Sequence, residues 1–166
     1  MQEAIAAYRL NLTQQKKLFK QMLHFALQQR ELVEKADVEI KVEVLEQFLA
    51  QRQNLIEQID NLNIEVERLQ SALRHRLGIK DFSLEVFRGQ ISEPERKQFN
   101  AIFEDLLKIM GEIDRQDELT QKLIHTKWTT LGAQVQKVRA ANKTALVYQS
   151  YGAGIGTESR FIDYKK

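Results

Sequence analysis

The stretch SEPERKQFNAIFEDLLKIMGEI, residues 92–113, decides the fold because it contains the clearest helix start in the chain. Ser92 and Glu95 have the spacing of a capping box, in which each side chain bonds to the backbone N–H of the other residue. Pro94 falls in the first turn, where its missing N–H leaves no helical bond unmade. The apolar side chains that follow recur every three or four residues: Phe99, Ile102, Phe103, Leu106, Ile109, Met110 and Ile113. This spacing predicts a long amphipathic helix.

Two earlier segments have the same helical period. The first, residues 1–36, has Gln15 and Gln29 at two positions of a stripe that is otherwise apolar: Ile5, Tyr8, Leu12, Phe19, Met22, Ala26 and Val33. The second stripe consists of Leu45, Phe48, Leu55, Ile59, Leu62, Val66, Leu69 and Leu73. Asp37 is a suitable N-cap and Gly78 a suitable terminator. We therefore predict helices over about 1–36 and 39–77.

The stretch VEIKVEV, residues 38–44, alternates apolar and charged residues, which is the pattern of a strand. We interpret it as helix because the helical period resumes directly after it and no second strand is predicted to pair with it. Residues 79–91 are predicted to form a connector with one short helical turn that begins near Asp81 or Ser83.

The chain of 166 residues contains one proline and seven glycines, so it has few places to turn. This favours an all-α fold: an elongated antiparallel bundle of three long helices with a short connector and a flexible C-terminal arm. We assign residues 1–131 to the helical bundle, with its third helix over 93–131. Residues 132–166 are assigned to a C-terminal helix extension followed by the Gly-rich arm.

The third helical pattern continues beyond the length that its neighbours can cover. A helix over 93–147 would be about 80 Å long, against about 58 Å for the second helix, at 1.5 Å per residue. If the two helices pack antiparallel, about 39 residues of the third helix match the second, up to about Leu131, and Gly132 is the next residue. Residues 133–147 still carry an apolar stripe, formed by Val135, Val138, Ala145 and Leu146. Because the bundle offers this stripe no partner, we expect an external one.

Charge is distributed unevenly, although the net charge is only +2. Residues 31–67 carry ten acidic and three basic side chains, a net of −7, whereas residues 119–157 carry five basic and no acidic ones. Attraction between helices inside the bundle and steering of a charged partner both explain this pattern. Nucleic acid is not expected as a partner, because the basic residues are few and dispersed.

The residues that metal sites and catalytic sites need are missing or dispersed. There are no cysteines, which excludes disulfides and thiolate chemistry. His24, His75 and His125 lie on different predicted helices, and none has a Glu or a second His one turn away. The glycines of residues 152–156 have neither the spacing nor the preceding strand of a nucleotide-binding loop. We therefore expect no enzyme activity, no metal and no cofactor.

The first residues, MQEAIAAYRLNL, lack the basic start and apolar core of a signal peptide. No apolar run approaches the roughly 18 residues that a membrane span needs. The sequence thus predicts an intracellular protein that does not insert into a membrane.

Two stretches resemble FlgN-type flagellar export chaperones. QRELVEKADVEIKVEVLEQFLAQRQNLIEQIDNL, residues 29–62, is similar to the N-terminal half of that family, and VQKVRAANKTALVYQSYGAGIGTESRFIDYKK, residues 135–166, to its C-terminal part. The resemblance implies a cytoplasmic chaperone of the flagellar type III secretion system. Such a chaperone binds the C-terminal amphipathic helices of hook–filament junction proteins, keeps them unassembled and delivers them to the export gate without ATP or metal.

By this resemblance, the client-binding residues are Val135, Val138, Ala145, Leu146, Tyr148 and Tyr151. Phe161, Ile162 and Asp163 would dock the tail to the export gate, to the client or to the bundle itself.

Three alternatives remain open at this point. A FliT-like chaperone of the filament cap protein shares the architecture and differs in its client. A structural coiled-coil adaptor would bury residues 133–147 in a homodimer. The aromatic tail could also fold back on the bundle as a purely stabilising element.

Overall fold

The computed structural model describes residues 1–36 and 41–131, and this part of the chain forms four helices and no strand. The helices are α1 (Gln2–Lys35), α2 (Val42–Leu77), α3 (Leu84–Gln90) and α4 (Glu93–Leu131). The all-helical prediction is therefore confirmed for the described residues. The helical interpretation of VEIKVEV is confirmed for residues 42–44, and its first three residues lie outside the described ranges.

The start of α2 differs from the prediction. Lys41 occupies its N-cap position with extended backbone and no capping side-chain bond, whereas the predicted cap, Asp37, lies outside the described residues.

The other helix boundaries follow from local hydrogen bonds. At the start of α4, Glu95 Oε2 accepts from the Ser92 N–H at 3.0 Å and from the Ser92 hydroxyl at 2.6 Å. The glutamate half of the predicted capping box thus forms, but the serine hydroxyl donates to the carboxylate. Ser83 begins α3, where its Oγ accepts from Val86 N–H at 3.2 Å. Gly78 ends α2 with a φ of +65°, a left-handed conformation that glycine adopts without steric cost.

α1 packs against both α2 and α4. Asn11 of α1 donates to the Leu62 carbonyl of α2 at 3.0 Å, whereas Gln29, later in α1, bonds to Arg52, earlier in α2. These two helices therefore run in opposite directions.

Helices α1 and α4 run in the same direction. Lys16 contacts Asp105 at 3.0 Å, and Lys127, later in α4, bonds to the carbonyl of Glu34, later in α1.

The apolar interior of the described residues consists of two separate clusters. The large cluster contains nineteen buried side chains from all four helices and the segments beside α3, and Tyr8 is at its aromatic centre with Phe87 and Phe99. The small cluster contains four buried side chains, with four others packed partly buried against them. Its buried members are Val33, Leu45, Leu49 and Ile124, and its partly buried members are Leu32, Ala36, Leu123 and Trp128. The predicted α1 stripe, with its two glutamines, is buried throughout.

A layer of buried polar residues lies between the two clusters along all three long helices. We call it the polar layer, and its members are Gln29, Arg52, Gln116, Asp117 and Thr120. The Arg52 guanidinium is fully buried and bonds both carboxylate oxygens of Asp117, at 2.7 and 2.6 Å. It also donates to Gln29 Oε1 at 2.9 Å and to Met22 Sδ at 3.3 Å. The paired geometry compensates for the loss of water around the two charges.

The surroundings of Asp114, a carboxylate beside the polar layer, disfavour its ionised form. Asp114 is exposed to solvent on one side, yet partial desolvation, followed by repulsion from Asp117, raises its pKa above the usual value of 3.8. The attraction of Arg52 opposes this rise without cancelling it. A carboxyl group with a raised pKa in the folded state destabilises the fold when it is ionised at neutral pH.

Removing one partner of the buried pair should be far more damaging than removing both. Arg52→Met leaves the Asp117 carboxylate buried without its cation, and we expect a loss of about 3–5 kcal/mol in the free energy of unfolding. The double variant R52M/D117L should recover most of that loss, because no unpaired charge remains. Urea unfolding followed by far-UV circular dichroism measures both. As a matched control, Lys16→Met breaks an exposed α1–α4 ion pair and should cost less than about 1 kcal/mol. A single variant as stable as this control would contradict a buried pair.

Asp114→Asn should stabilise the protein by about 0.3 kcal/mol near neutral pH, as expected for a relieved like-charge contact on a helix. The gain should disappear as the pH falls through the raised pKa of Asp114, because the wild-type carboxyl is then protonated as well. Urea midpoints of both proteins at about pH 7 and about pH 3 test this sign. A gain that persists at the lower pH would show that the effect is not electrostatic.

Candidate functional site

The predicted client-binding and tail residues lie outside the residues that the structure describes. This applies to Val135, Val138, Ala145, Leu146, Tyr148 and Tyr151, and equally to Phe161, Ile162 and Asp163. The structure does describe the end of the bundle that precedes them in the chain. We call this the exit end, and it consists of the last turns of α1, the first turns of α2 and the last turns of α4.

At the exit end, a lysine of α4 fastens α4 to the end of α1. Lys127 Nζ donates to the carbonyl oxygens of Glu34, at 2.9 Å, and of Ala36, at 2.5 Å. Carbonyls at a helix C-terminus lack helical partners and carry the negative end of the helix dipole, so an ammonium group suits them. Position 127 is thus level with the end of α1, and α4 continues to Leu131.

Beside this contact, the small cluster closes the interior of the exit end. Ile124 is buried in the cluster at 1% exposure, and Trp128 packs one turn later against its edge. Both side chains lie on the face of α4 that is turned towards this cluster. Trp128 is the only tryptophan of the chain, so its fluorescence reports on this cluster alone.

An open groove of about 440 Å³ lies between α1 and α2 at the exit end. Its apolar lining is formed by Leu32, Ala36, Val44 and Phe48, and its polar lining by Gln28, Glu31, Lys35 and Lys41. Phe48, which was predicted on the apolar stripe of the second helix, is half-buried, and its ring lies 6.2 Å from the ring of Phe25. Leu45, Leu49 and Arg52 occupy the buried face of α2 instead.

The rim of the groove carries an ion pair that stays charged at neutral pH. Lys35 Nζ donates to the Glu31 carboxylate, one turn earlier on α1. This hydrogen bond, and then the attraction of the ammonium charge, lowers the pKa of Glu31, and the same bond raises the pKa of Lys35. Lys41 adds an exposed positive charge at the start of α2. The groove therefore combines an apolar floor with a charged rim, which suits an amphipathic surface.

Over residues 1–36 and 41–131, no three potential metal-ligating side chains of His, Cys, Asp or Glu come together. In the same residues, no helix is both long enough and apolar enough to pass through a bilayer.

Comparison with protein families identifies the chain. The family model described as FlgN protein matches residues 1–154, which include the whole described bundle. The chain belongs to the FlgN family. FlgN proteins are flagellar export chaperones, so the resemblance found in residues 29–62 and 135–166 is confirmed at the level of the family. No individual curated protein matches the chain significantly, and neither does any solved structure.

The limits of the match divide the predicted site residues into two groups. The six predicted client-binding residues, from Val135 to Tyr151, lie within the matched range. Phe161, Ile162 and Asp163 lie after residue 154, so the family match gives no support to a role for the tail.

Lys127→Met keeps the apolar stem of the side chain but removes its bonds to the two α1 carbonyls. We expect a loss of about 1 kcal/mol in the free energy of unfolding, because a charged donor at a helix C-terminus is removed. Trp128 fluorescence during urea unfolding measures this loss of stability, because the tryptophan lies one residue after Lys127 in the small cluster. Lys122→Met is the matched control, since the exposed ion pair of Lys122 with Glu118 joins residues of the same helix. Equal effects of the two substitutions would contradict a specific role for Lys127.

Proposed function

We propose that this chain is a cytoplasmic export chaperone for hook–filament junction proteins. It binds their C-terminal amphipathic helices, keeps them unassembled and delivers them to the type III export gate. The observation that carries the proposal is the FlgN match over residues 1–154, which includes the segment 133–147 with its predicted apolar stripe. The match to FlgN rather than to another chaperone family favours junction proteins over the filament cap protein as clients.

In this proposal, residues 1–131 form an elongated antiparallel bundle of three long helices that serves as the base. Residues 132–166 form the client-binding extension and the arm. The position of Lys127 at the end of α1 supports this division, because α1 ends level with the last turns of α4.

The client contacts are assigned to one apolar face of the extension and to the two tyrosines after it. These residues are Val135, Val138, Ala145, Leu146, Tyr148 and Tyr151. An amphipathic client helix would lay its apolar side chains against this face, as in other complexes in which a helix binds a groove. Phe161, Ile162 and Asp163 then remain available to dock the tail on the export gate.

The expected affinity suits a carrier that must release its cargo. Burying six apolar or aromatic side chains at roughly 1.5–3 kcal/mol each contributes on the order of 10 kcal/mol. Ordering of the extension opposes this by about 2–5 kcal/mol, and association itself has a further cost. The net result is a reversible complex. It needs neither nucleotide nor metal, because release can follow from competition at the export gate.

The direct test is binding of purified junction protein to the triple variant V138A/L146A/Y148A. We expect affinity to fall at least tenfold, on the order of 1.4 kcal/mol or more, because three apolar contacts are shortened. Isothermal titration calorimetry on the full chain measures the change. The matched control L10A/I64A/L119A shortens three exposed apolar side chains of the bundle and should bind within about twofold of wild type.

Two results would contradict the proposal. One is unchanged affinity of the triple variant, and the other is binding of the filament cap protein but not of junction proteins. Light scattering of the free chain with and without residues 132–166 measures the oligomeric state and so tests the adaptor alternative. A dimer that is lost on truncation would support an adaptor.

A further inference from the structure

The polar layer divides the bundle at one height on all three long helices. On α1, Gln29 lies between Met22 of the large cluster and Val33 of the small one. On α2, Arg52 separates Leu49 from Leu55 in the same way. On α4, residues 116, 117 and 120 separate the part ending at residue 113 from Ile124. No apolar cluster of the described residues extends across this height.

We infer that the exit end opens as one cooperative unit while the remainder of the bundle stays folded, with the polar layer as the boundary. The last turns of α1, the first turns of α2 and the last turns of α4 separate together. The opening exposes the small cluster, whose buried members are Val33, Leu45, Leu49 and Ile124. The inference concerns the described bundle and does not depend on the identity of any client.

The first argument is the unequal size of the two clusters. The small cluster has four buried apolar side chains against nineteen in the large one, within the residues described. Because burial of apolar surface is the main stabilising contribution, the exit end has much less to lose on opening. Regions with few buried apolar contacts open at a lower free energy than the core to which they are attached.

The second argument is that the boundary is already partly unsatisfied. Gln29 Nε2 and Gln116 Oε1 are buried and have no hydrogen-bond partner among the described residues. A buried polar atom without a partner is costly, and contact with water relieves that cost. Opening the exit end lets water reach these two amides, so hydration at the layer offsets part of the apolar exposure.

The third argument is that the buried ion pair remains on the closed side. Arg52 donates to Met22 Sδ, and Met22 belongs to the large cluster. The bidentate pair with Asp117 therefore remains joined to the large cluster when the exit end separates. Opening breaks the small cluster with its partly buried neighbours, the Lys127 bonds to the carbonyls of Glu34 and Ala36, and the ring contact of Phe48 with Phe25.

Two measurements on the full chain test this unit. In a urea titration, Trp128 fluorescence should change at a lower concentration than most of the far-UV circular dichroism, because the tryptophan reports only the small cluster. In native-state hydrogen exchange, backbone amides of residues 42–50 and 121–131 should exchange at least about tenfold faster than those of residues 55–73 and 99–113. The two fast segments should also share one dependence on urea.

The variant R52M/D117L replaces the boundary with apolar side chains and should join the two clusters. We expect the difference in exchange between the segments to fall below about threefold. The matched control, K16M/D105L, removes an exposed α1–α4 ion pair beside the large cluster and should leave the difference as in wild type. If R52M/D117L does not fold, the wild-type measurements decide alone.

Three results would overturn the inference. Coincident fluorescence and dichroism transitions in the wild type would show a single cooperative unit. Fast exchange at residues 121–131 with full protection at 42–50 would show simple fraying of α4. An unchanged difference in R52M/D117L would show that the polar layer is not the boundary.

Discussion

A fully buried arginine is compatible with a helical core only where its charge is paired and its donors find acceptors, and this requirement fixes how the three long helices meet. The Arg52 guanidinium donates hydrogen bonds to Asp117 of α4 and to Gln29 of α1 at the same time. One side chain of α2 therefore fixes the axial positions of both neighbouring helices. Apolar stripes alone tolerate a shift of one helical turn along their partners, because leucine and isoleucine contacts are interchangeable. A bidentate ion pair does not tolerate such a shift, since the shift would leave two charges buried without partners. The register of the bundle, and with it the position of the exit end, depends on this contact.

The exit end brings three features together. Its interior is a small cluster with a polar boundary, its surface has an open apolar groove, and a lysine binds the last carbonyls of α1. At the groove, half-buried apolar residues such as Phe48 lie beside the charged Glu31–Lys35 pair, which limits the size of the exposed apolar patch.

Much of the fold could be predicted from the sequence because it follows from local rules. The helical period of α1, the break at Gly78, and the helix starts at Ser83 and Ser92 each depend on residues close together in the chain. The pairing of Arg52 with Asp117 could not be predicted, because it joins positions 65 residues apart. A signal was nevertheless present: the apolar stripes lack a member at Gln29, at Arg52 and at residues 116–117, and two of these gaps carry opposite charges. Phe48 lies at the half-buried edge of the predicted stripe, since Leu45, Leu49 and Arg52 occupy the buried face of α2. The predicted client-binding residues lie outside the described part of the chain, so their assignment stays a prediction.

The shared direction of α1 and α4 has a practical consequence. The first turn of α1 lies at one end of the rod and the exit end at the other, about 50 Å away for a helix of this length. The two ends of the described bundle are therefore far apart and can be modified independently. An immobilising group or a fluorophore attached ahead of Gln2 would be held about a rod length from the end of α4 at Leu131, so surface-tethered molecules would present the exit end to the solution.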